Sequence, residues 1–250
     1  MQMKPVTSPQ NDTIKLIRSL SLKKHRAESG LFVAEGEKVL ARARACGWRP
    51  VYLVTRDGKA DGWAEETLLA SEPVMRAVSR QENASSAVGV FRIPPPPAAG
   101  QAGLWLVLEG IRDPGNLGTI IRTADTVAAA GIILTGPCCD PWSPDSARAT
   151  MGSIFAVPLL HMETPALVSF ARTWPGEIVA TAMDGAEDYR RNYAAPSLLL
   201  MGSEGNGLSA ELAALAHVAV RIPMAGPVES LNVAIATALL LYEIKREDMR

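Results

Sequence analysis

The 250-residue chain has almost no net charge, three cysteines, three histidines and no long apolar run, and each shortage removes a class of function. Cys46, Cys138 and Cys139 show no metal-ligand spacing, and two of them are sequence neighbours, which rarely bridge. They read as buried or idle thiols of a reducing compartment. His161 and His217 have no partner pattern, so no metal is expected. The longest apolar stretch, residues 233–242, falls short of the roughly eighteen residues that a membrane span needs. The first twelve residues lack the apolar core of a signal peptide, and the expectation is a soluble cytoplasmic protein. Two phosphate-binding signatures are missing as well. There is no glycine loop followed by the P-loop lysine and no G-x-G-x-x-G, which ranks an ordinary nucleotide-binding enzyme on a doubly wound sheet last.

What is present is the composition of an ordered globular protein, 48% hydrophobic and 20% charged. The near-neutral total of -1 hides an asymmetry. Residues 1–93 carry fifteen Lys and Arg against ten Asp and Glu, a net of +5, and residues 94–250 carry ten against sixteen, a net of −6. A basic module that meets a polyanion, joined to a module with another task, accounts for that split; chance scatter of surface charge is the bland alternative. Pro94 to Pro97 open an extended, semi-rigid spacer. The expected organisation is a small α/β domain at 11–93, a proline-rich linker at 94–103 and a larger domain at 104–250.

In the first domain Asn11 or Asp12 can cap a helix that carries Ile14, Ile17 and Leu20 on one face. Strands are expected at 31–34, 51–55 and 87–93, and helices at 37–46 and 73–80. In the second, strands at 104–108, 131–135, 154–159, 178–182, 198–201 and 218–222 alternate with helices at 116–130, 146–151, 165–174, 210–216 and 232–246. Such alternation predicts a mostly parallel sheet covered on both faces.

Three segments place glycines and polar residues just after a predicted strand, where such a sheet assembles its ligand site. The first is Asp113-Pro114-Gly115-Asn116-Leu117-Gly118-Thr119-Ile120-Ile121-Arg122. Asn116 is placed to cap a helix, and Arg122, six residues on, lies about 240° around its axis. Alone, this is a capped amphipathic helix. The second is Met201-Gly202-Ser203-Glu204-Gly205-Asn206-Gly207-Leu208, whose glycines permit either close approach of a ligand or positive φ in a loop. The third runs from Ile222-Pro223-Met224 to Ser230-Leu231-Asn232 and opens a helix so apolar that it must be buried. Glu229, Ser230 and Asn232 do not suit burial; they cap that helix or line a ligand site.

In combination the three segments closely resemble the three motifs of the SpoU/TrmH family, RNA ribose 2′-O-methyltransferases of the SPOUT class. Residues 146–153 resemble the family's intermediate signature. Lys23-Lys24-His25-Arg26, followed by Phe32-Val33-Ala34-Glu35-Gly36, resembles the substrate-binding domain that many members carry. The resemblance implies a deep trefoil knot near the C-terminus, S-adenosylmethionine as cofactor, and a homodimer with the last helix in its interface. It assigns Met201, Gly202, Ile222, Met224 and Leu231 to the cofactor, with Thr181 and Ala182 at the end of a strand as further contacts. It makes Arg122 the central catalytic residue, with Asn116, Glu204, Ser230 and Asn232 as the orienting shell. An arginine is effectively always protonated, so stabilising a developing alkoxide and gripping a phosphate suits it better than acting as a base. Glu204 can anchor Arg122 by a charge-assisted bond. Lys15, Arg18, Lys23, Lys24 and Arg26 are the candidate RNA phosphate contacts, a solvated helix face being the alternative.

The leading expectation is methylation of a ribose in rRNA or tRNA. A SPOUT base methyltransferase and a non-catalytic RNA-binding or ribosome-assembly factor are the competing readings.

Overall fold

The structure is a computed structural model that describes residues 3–57, 62–79, 85–182, 187–227 and 230–249. Val228, Glu229 and Arg80 of the segments read above lie outside the described residues. Two compact units emerge, and the division is not linear along the chain. Met1–Pro95 and Asp140–Ala156 form the first; Pro96–Cys139 and Val157–Arg250 form the second.

The first unit contains β1 (Lys4–Val6), α1 (Asp12–Ser19), α2 (Lys23–Ser29), β2 (Leu31–Glu35), α3 (Glu37–Ala45), β3 (Tyr52–Thr55), β4 (Glu66–Ala70), α4 (Glu72–Val78) and β5 (Ala87–Arg92). Asn11 caps α1, its side chain accepting from the Thr13 amide at 3.0 Å, and Ile14, Ile17 and Leu20 are buried as their spacing requires. The five strands run in the order β1-β4-β3-β5-β2, parallel across β1, β4 and β3 and antiparallel at β5. Ile14, Leu20, Val54, Leu68, Met75 and Val88 pack together in one core. β1, α2 and β4 go beyond the sequence expectation, because a three-residue strand or a strongly charged seven-residue helix shows no readable period.

The second unit contains β6 (Leu104–Glu109), α5 (Pro114–Thr126) and β7 (Gly131–Thr135). The chain then supplies Asp140–Ala156 to the first unit, with α6 (Pro144–Ala149) and a 3₁₀ turn (Ser153–Phe155). There Trp142 and Phe155 stack around Phe32 at centroid distances of 4.8 and 5.9 Å, and the Trp48 indole N–H donates to the Phe155 carbonyl at 2.9 Å. The strand expected at 154–159 is therefore replaced by that turn, and β8 begins only at Leu159 (Leu159–His161). The second unit resumes with β8, α7 (Thr164–Arg172), β9 (Glu177–Thr181), β10 (Glu187–Asp188), β11 (Ser197–Met201), α8 (Ala210–Ala213), β12 (Val218–Arg221) and α9 (Val233–Ile244). Its seven strands, ordered β10-β12-β9-β11-β6-β7-β8, are parallel throughout. Every residue of β7 and of β11 is buried, as a parallel sheet covered on both faces demands.

The parallel arrangement brings the C-terminal ends of β12, β9, β11 and β6 to one edge of the sheet, and the three spaced segments follow from there. Among the described residues, no helix is long and apolar enough to cross a membrane, and no group of His, Cys, Asp and Glu is set to hold a metal.

Candidate functional site

Glu204 is the point where the three segments meet. Its Oε1 accepts from Asn116 Nδ2 at 3.2 Å, from Asn232 Nδ2 at 2.8 Å and from the Val233 amide at 3.1 Å. Asn232 Nδ2 also donates to Asn116 Oδ1 at 2.9 Å, which closes a ring of three side chains. A carboxylate with three donors on one oxygen is oriented firmly even where solvent reaches it. Each member is also tied to its own element. Asn232 caps α9, its Oδ1 accepting from the Ala234 and Ile235 amides at 2.9 and 3.3 Å. Asn116 sits in the first turn of α5, and its amide donates to the Asp113 carboxylate at 2.7 Å. The cap of α5 is thus Asp113 with Pro114 directly after it, whereas the sequence reading gave that place to Asn116. The exchange frees the Asn116 side chain for Glu204.

Gly202 explains why the second segment can fold so tightly. A Cβ there would lie 2.0 Å from the Gly207 carbonyl carbon and 2.2 Å from the Leu208 nitrogen. The loop closes on that bare backbone through the Gly207 amide bonded to the Ser203 carbonyl at 2.9 Å and a bridge between Ser203 and Gly207. Glu109, at the end of β6, secures the exit of the loop by accepting from the Ser209 amide at 2.7 Å. Beside the ring opens a cleft of about 450 Å³, whose lining includes Glu109, Arg112, Asn116, Glu204, Asn206 and Val233.

Arg122 stands apart from the ring. It lies on the exposed side of α5, and no hydrogen bond or ion pair joins it to any described residue. The anchoring bond expected from Glu204 is not formed, since the bonds of that carboxylate run to Asn116, Asn232 and Val233. An unpaired guanidinium keeps all its donors for an outside anion. Ser230, expected in the same shell, is exposed and takes no part in the ring.

The residues assigned to a cofactor gather at the strand ends. Met201 ends β11 and is buried with Gly202; Thr181 ends β9 and pairs in register with Val220 of β12, and Ala182 and Ile222 follow those strands. Met224 is exposed and Leu231 half-buried. The set offers apolar side chains and strand-end main chain beside a glycine whose missing Cβ leaves room only for main chain. That donor set suits a cofactor with a flat heteroaromatic end and a polar tail. None of these seven residues lines the 450 Å³ cleft.

In the first unit Lys15, Arg18, Lys23 and Lys24 are exposed on α1 and α2. Lys15 pairs with Asp12 at 3.4 Å and Lys24 with Glu28 at 3.8 Å, both in solvent and weak. Arg26 corrects the sequence reading. Its side chain is 4% exposed, its Nη2 lies 2.6 Å from Asp140 Oδ2, and its Nη1 donates to the Leu20 and Ser21 carbonyls. Arg26 holds the first unit together and has nothing left for a phosphate.

Arg112 and Asp113 also line the cleft; the sequence reading passed over Arg112 and gave Asp113, the first residue of the first segment, no role of its own. Both follow the buried strand β6 on the ligand side of the sheet, and that position was the available signal. Close by, burial pushes the Cys138 thiol above its ordinary pKa, against weaker opposing bonds from neighbouring backbone.

Comparison with known proteins matches this geometry to a family. Residues 103–242 match the SpoU rRNA methylase family, and residues 11–89 match an MRM3-like substrate binding domain. A tRNA/rRNA methyltransferase of Synechocystis sp. with no assigned target is 34% identical over 97% of this chain and 93% of its own. The 23S rRNA (guanosine(2553)-2′-O)-methyltransferase RlmP of Bacillus subtilis is 29% identical over 97% of this chain and all of its own. Among solved structures, an AdoMet-bound rRNA methyltransferase from Sinorhizobium meliloti superposes with a TM-score of 0.91 at 40% identity, over the full length of both chains.

Proposed function

For a chain that belongs to the SpoU rRNA methylase family, we propose that the Asn116–Glu204–Asn232 ring and Arg122 form the catalytic centre of an RNA ribose 2′-O-methyltransferase. The protein is an S-adenosylmethionine-dependent enzyme acting on RNA. The observation that carries the reading of the centre is the ring itself. Three motifs separated by 88 and 28 residues put one carboxylate and two amides in mutual contact beside a cleft.

S-adenosylmethionine supplies a methyl group activated on sulfur, together with a neutral thioether as leaving group. What remains for the protein is to align two reactants and to favour negative charge on the ribose oxygen. Met201, Gly202, Ile222, Met224, Leu231, Thr181 and Ala182 are the residues we assign to holding the cofactor. Arg122 takes the phosphate next to the target nucleotide and stabilises the negative charge that develops on the ribose 2′-oxygen as its proton passes to solvent. Asn116, Glu204 and Asn232 fix the start of α5, the 202–208 loop and the start of α9 against one another. Ser230, next to Asn232, completes the shell on the open side.

Residues 11–93 serve as the substrate-binding domain and residues 104–250 as the methyltransferase domain, with 94–103 linking them; Lys15, Arg18, Lys23 and Lys24 meet the phosphates. The substrate is rRNA or tRNA, which supports a cytoplasmic location. The chain after β11 forms a trefoil knot, held where Glu204 bonds Asn232 and Val233. A homodimer forms through α9, whose Ile235, Leu239 and Tyr242 recur on one face and are 50%, 37% and 48% exposed.

The test is transfer of labelled methyl from S-adenosylmethionine to total rRNA and total tRNA from a strain that lacks the gene, followed by mass spectrometry of the nucleosides. A 2′-O-methylnucleoside in one fraction is the expected result. No label in either fraction, with cofactor bound normally, would return the protein to the non-catalytic RNA-binding class.

A further inference from the structure

The first unit contains a cleft of about 540 Å³ that the catalytic centre does not use. Its lining joins α1 and the following turn to β2, α4 and the α6 excursion, all within that unit. Three cations belong to it: Lys15, Arg18 and Arg148. Lys15 and Arg148 are engaged only by exposed local carboxylates, Asp12 at 3.4 Å and Asp145 at 3.5 Å. Arg18 has no bonded partner among the described residues. The lining also includes Ala77 and Val78 of α4 and Leu22, which is 57% exposed, together with the polar Ser19, Ser21 and Glu35.

An exposed leucine, apolar side chains and cations held at most by weak surface pairs form the complement of one particular object. A phosphate alone needs no apolar wall, and an apolar peptide has no use for three cations. A nucleotide swung out of its stack has both halves: a base with two apolar faces and a phosphate on each side. Arginine planes can also lie flat on a base. The volume falls within the roughly 300–1,000 Å³ of ordinary ligand sites. Among the described lining residues, Glu35 is the one carboxylate. It accepts from the Ser79 hydroxyl at 3.0 Å.

We propose that this cleft is a second RNA-recognition site, which captures an unstacked nucleotide of the substrate RNA: its base against Leu22, Ala77 and Val78 and its flanking phosphates on Arg18 and Arg148. The proposal rests on the reading of the protein as an RNA methyltransferase and adds a contact that selects RNAs by an exposed base. Because Arg148 comes from the segment matched to the methylase family and Arg18 from the substrate-binding match, both segments of sequence contribute to one pocket.

Variants of the full-length protein separate the parts. Arg18→Glu and Arg148→Ala remove charge, and Ala77→Phe fills the cleft with charge unchanged. Binding to total rRNA and total tRNA is measured across salt concentrations, together with methyl-transfer kcat and KM and the Kd for S-adenosylmethionine. The expected result for Arg18→Glu is at least a tenfold rise in RNA Kd, and for Arg148→Ala a salt-dependence slope shallower by about one. Ala77→Phe is expected to raise Kd several-fold at an unchanged slope. In Arg148→Ala and Ala77→Phe, kcat at saturating RNA and the cofactor Kd stay at wild-type values. RNA binding within twofold of wild type in Arg18→Glu would overturn the proposal. So would an effect of the charge variants without any effect of Ala77→Phe in a folded protein, which would reduce the cleft to a charged surface. Absence of methyl transfer by the wild type would instead count against the catalytic reading, and the binding comparison would still decide the pocket.

Discussion

Asn232 Nδ2 lies 2.8 Å from Glu204 Oε1 while Asn232 Oδ1 caps α9, so one side chain both starts a helix and locks the second motif to the third. The two duties separate by substitution. Asn232→Ser keeps a capping oxygen and loses the amide donor; the expected outcome is near-wild-type stability with methyl transfer reduced by about 10- to 100-fold, since small misplacements of a site cost that much. Asn232→Ala should in addition lose about 1 kcal/mol, seen as a Tm about 2–4 °C lower. Equal activity of Asn232→Ser and wild type would show that only the cap matters.

Glu204→Gln retains the shape and removes the charge that holds three donors. Because the group is exposed, the stability cost should stay below about 1 kcal/mol, while kcat falls by about 10-fold or more. Thermal melts and steady-state kinetics on the same preparation check both halves.

Gly202→Ala drives a methyl group into the Gly207–Leu208 backbone, which has no flexible side chain to yield. A loss of about 3 kcal/mol is expected, together with loss of cofactor affinity by calorimetry. A substitution that left both unchanged would mean that the loop does not close as described.

Arg26→Ala leaves the half-buried Asp140 without its ion-pair partner and the Leu20 and Ser21 carbonyls without their donor, and should destabilise the protein by about 3 kcal/mol. Lys23→Glu and Lys24→Glu, on an exposed face, should change stability by less than about 0.5 kcal/mol and weaken RNA binding. Chemical denaturation distinguishes the two classes.

Cys138 should be alkylated slowly by iodoacetamide near pH 8 and faster as the pH rises. Burial holds its pKa above the ordinary thiol value, and the thiolate is the reactive form. Fragment-ion mass spectrometry separates it from Cys139.

How much of this was legible in the sequence depends on the range of the interaction. Ile14, Ile17 and Leu20 are buried together because a single helical period places them, and α9 starts at its Asn232 cap because the apolar run after it had nowhere else to begin. The strand ends that carry Thr181 and Met201, residues assigned to the cofactor, follow from strand–helix alternation alone. Asn116 was misplaced by one cap because Asp113-Pro114-Gly115-Asn116 holds two capping residues, and proline in the first turn favours the earlier. Arg26 was out of reach: inside a run of four basic and His residues it reads as surface, and its carboxylate lies 114 positions away. Likewise nothing local told that 140–156 would pack on Phe32 and Trp48. The ring around Glu204 lies between these cases, its members each visible as motif residues and their contact a matter of the folded chain.

The most direct test of the catalytic assignment is single-turnover methyl transfer by wild type and Arg122→Ala on the RNA fraction that accepts label, with the product digested by alkali. A 2′-O-methyl group blocks alkaline cleavage, so ribose methylation leaves label in alkali-resistant dinucleotides. The account predicts such dinucleotides for wild type and a rate at saturating RNA lower by about 10²–10³ for Arg122→Ala, with RNA Kd raised several-fold by the lost phosphate contact and cofactor Kd and Tm unchanged, because Arg122 is exposed and has no bonded partner among the described residues. Label in alkali-labile mononucleotides, or an undiminished rate in Arg122→Ala, would contradict it.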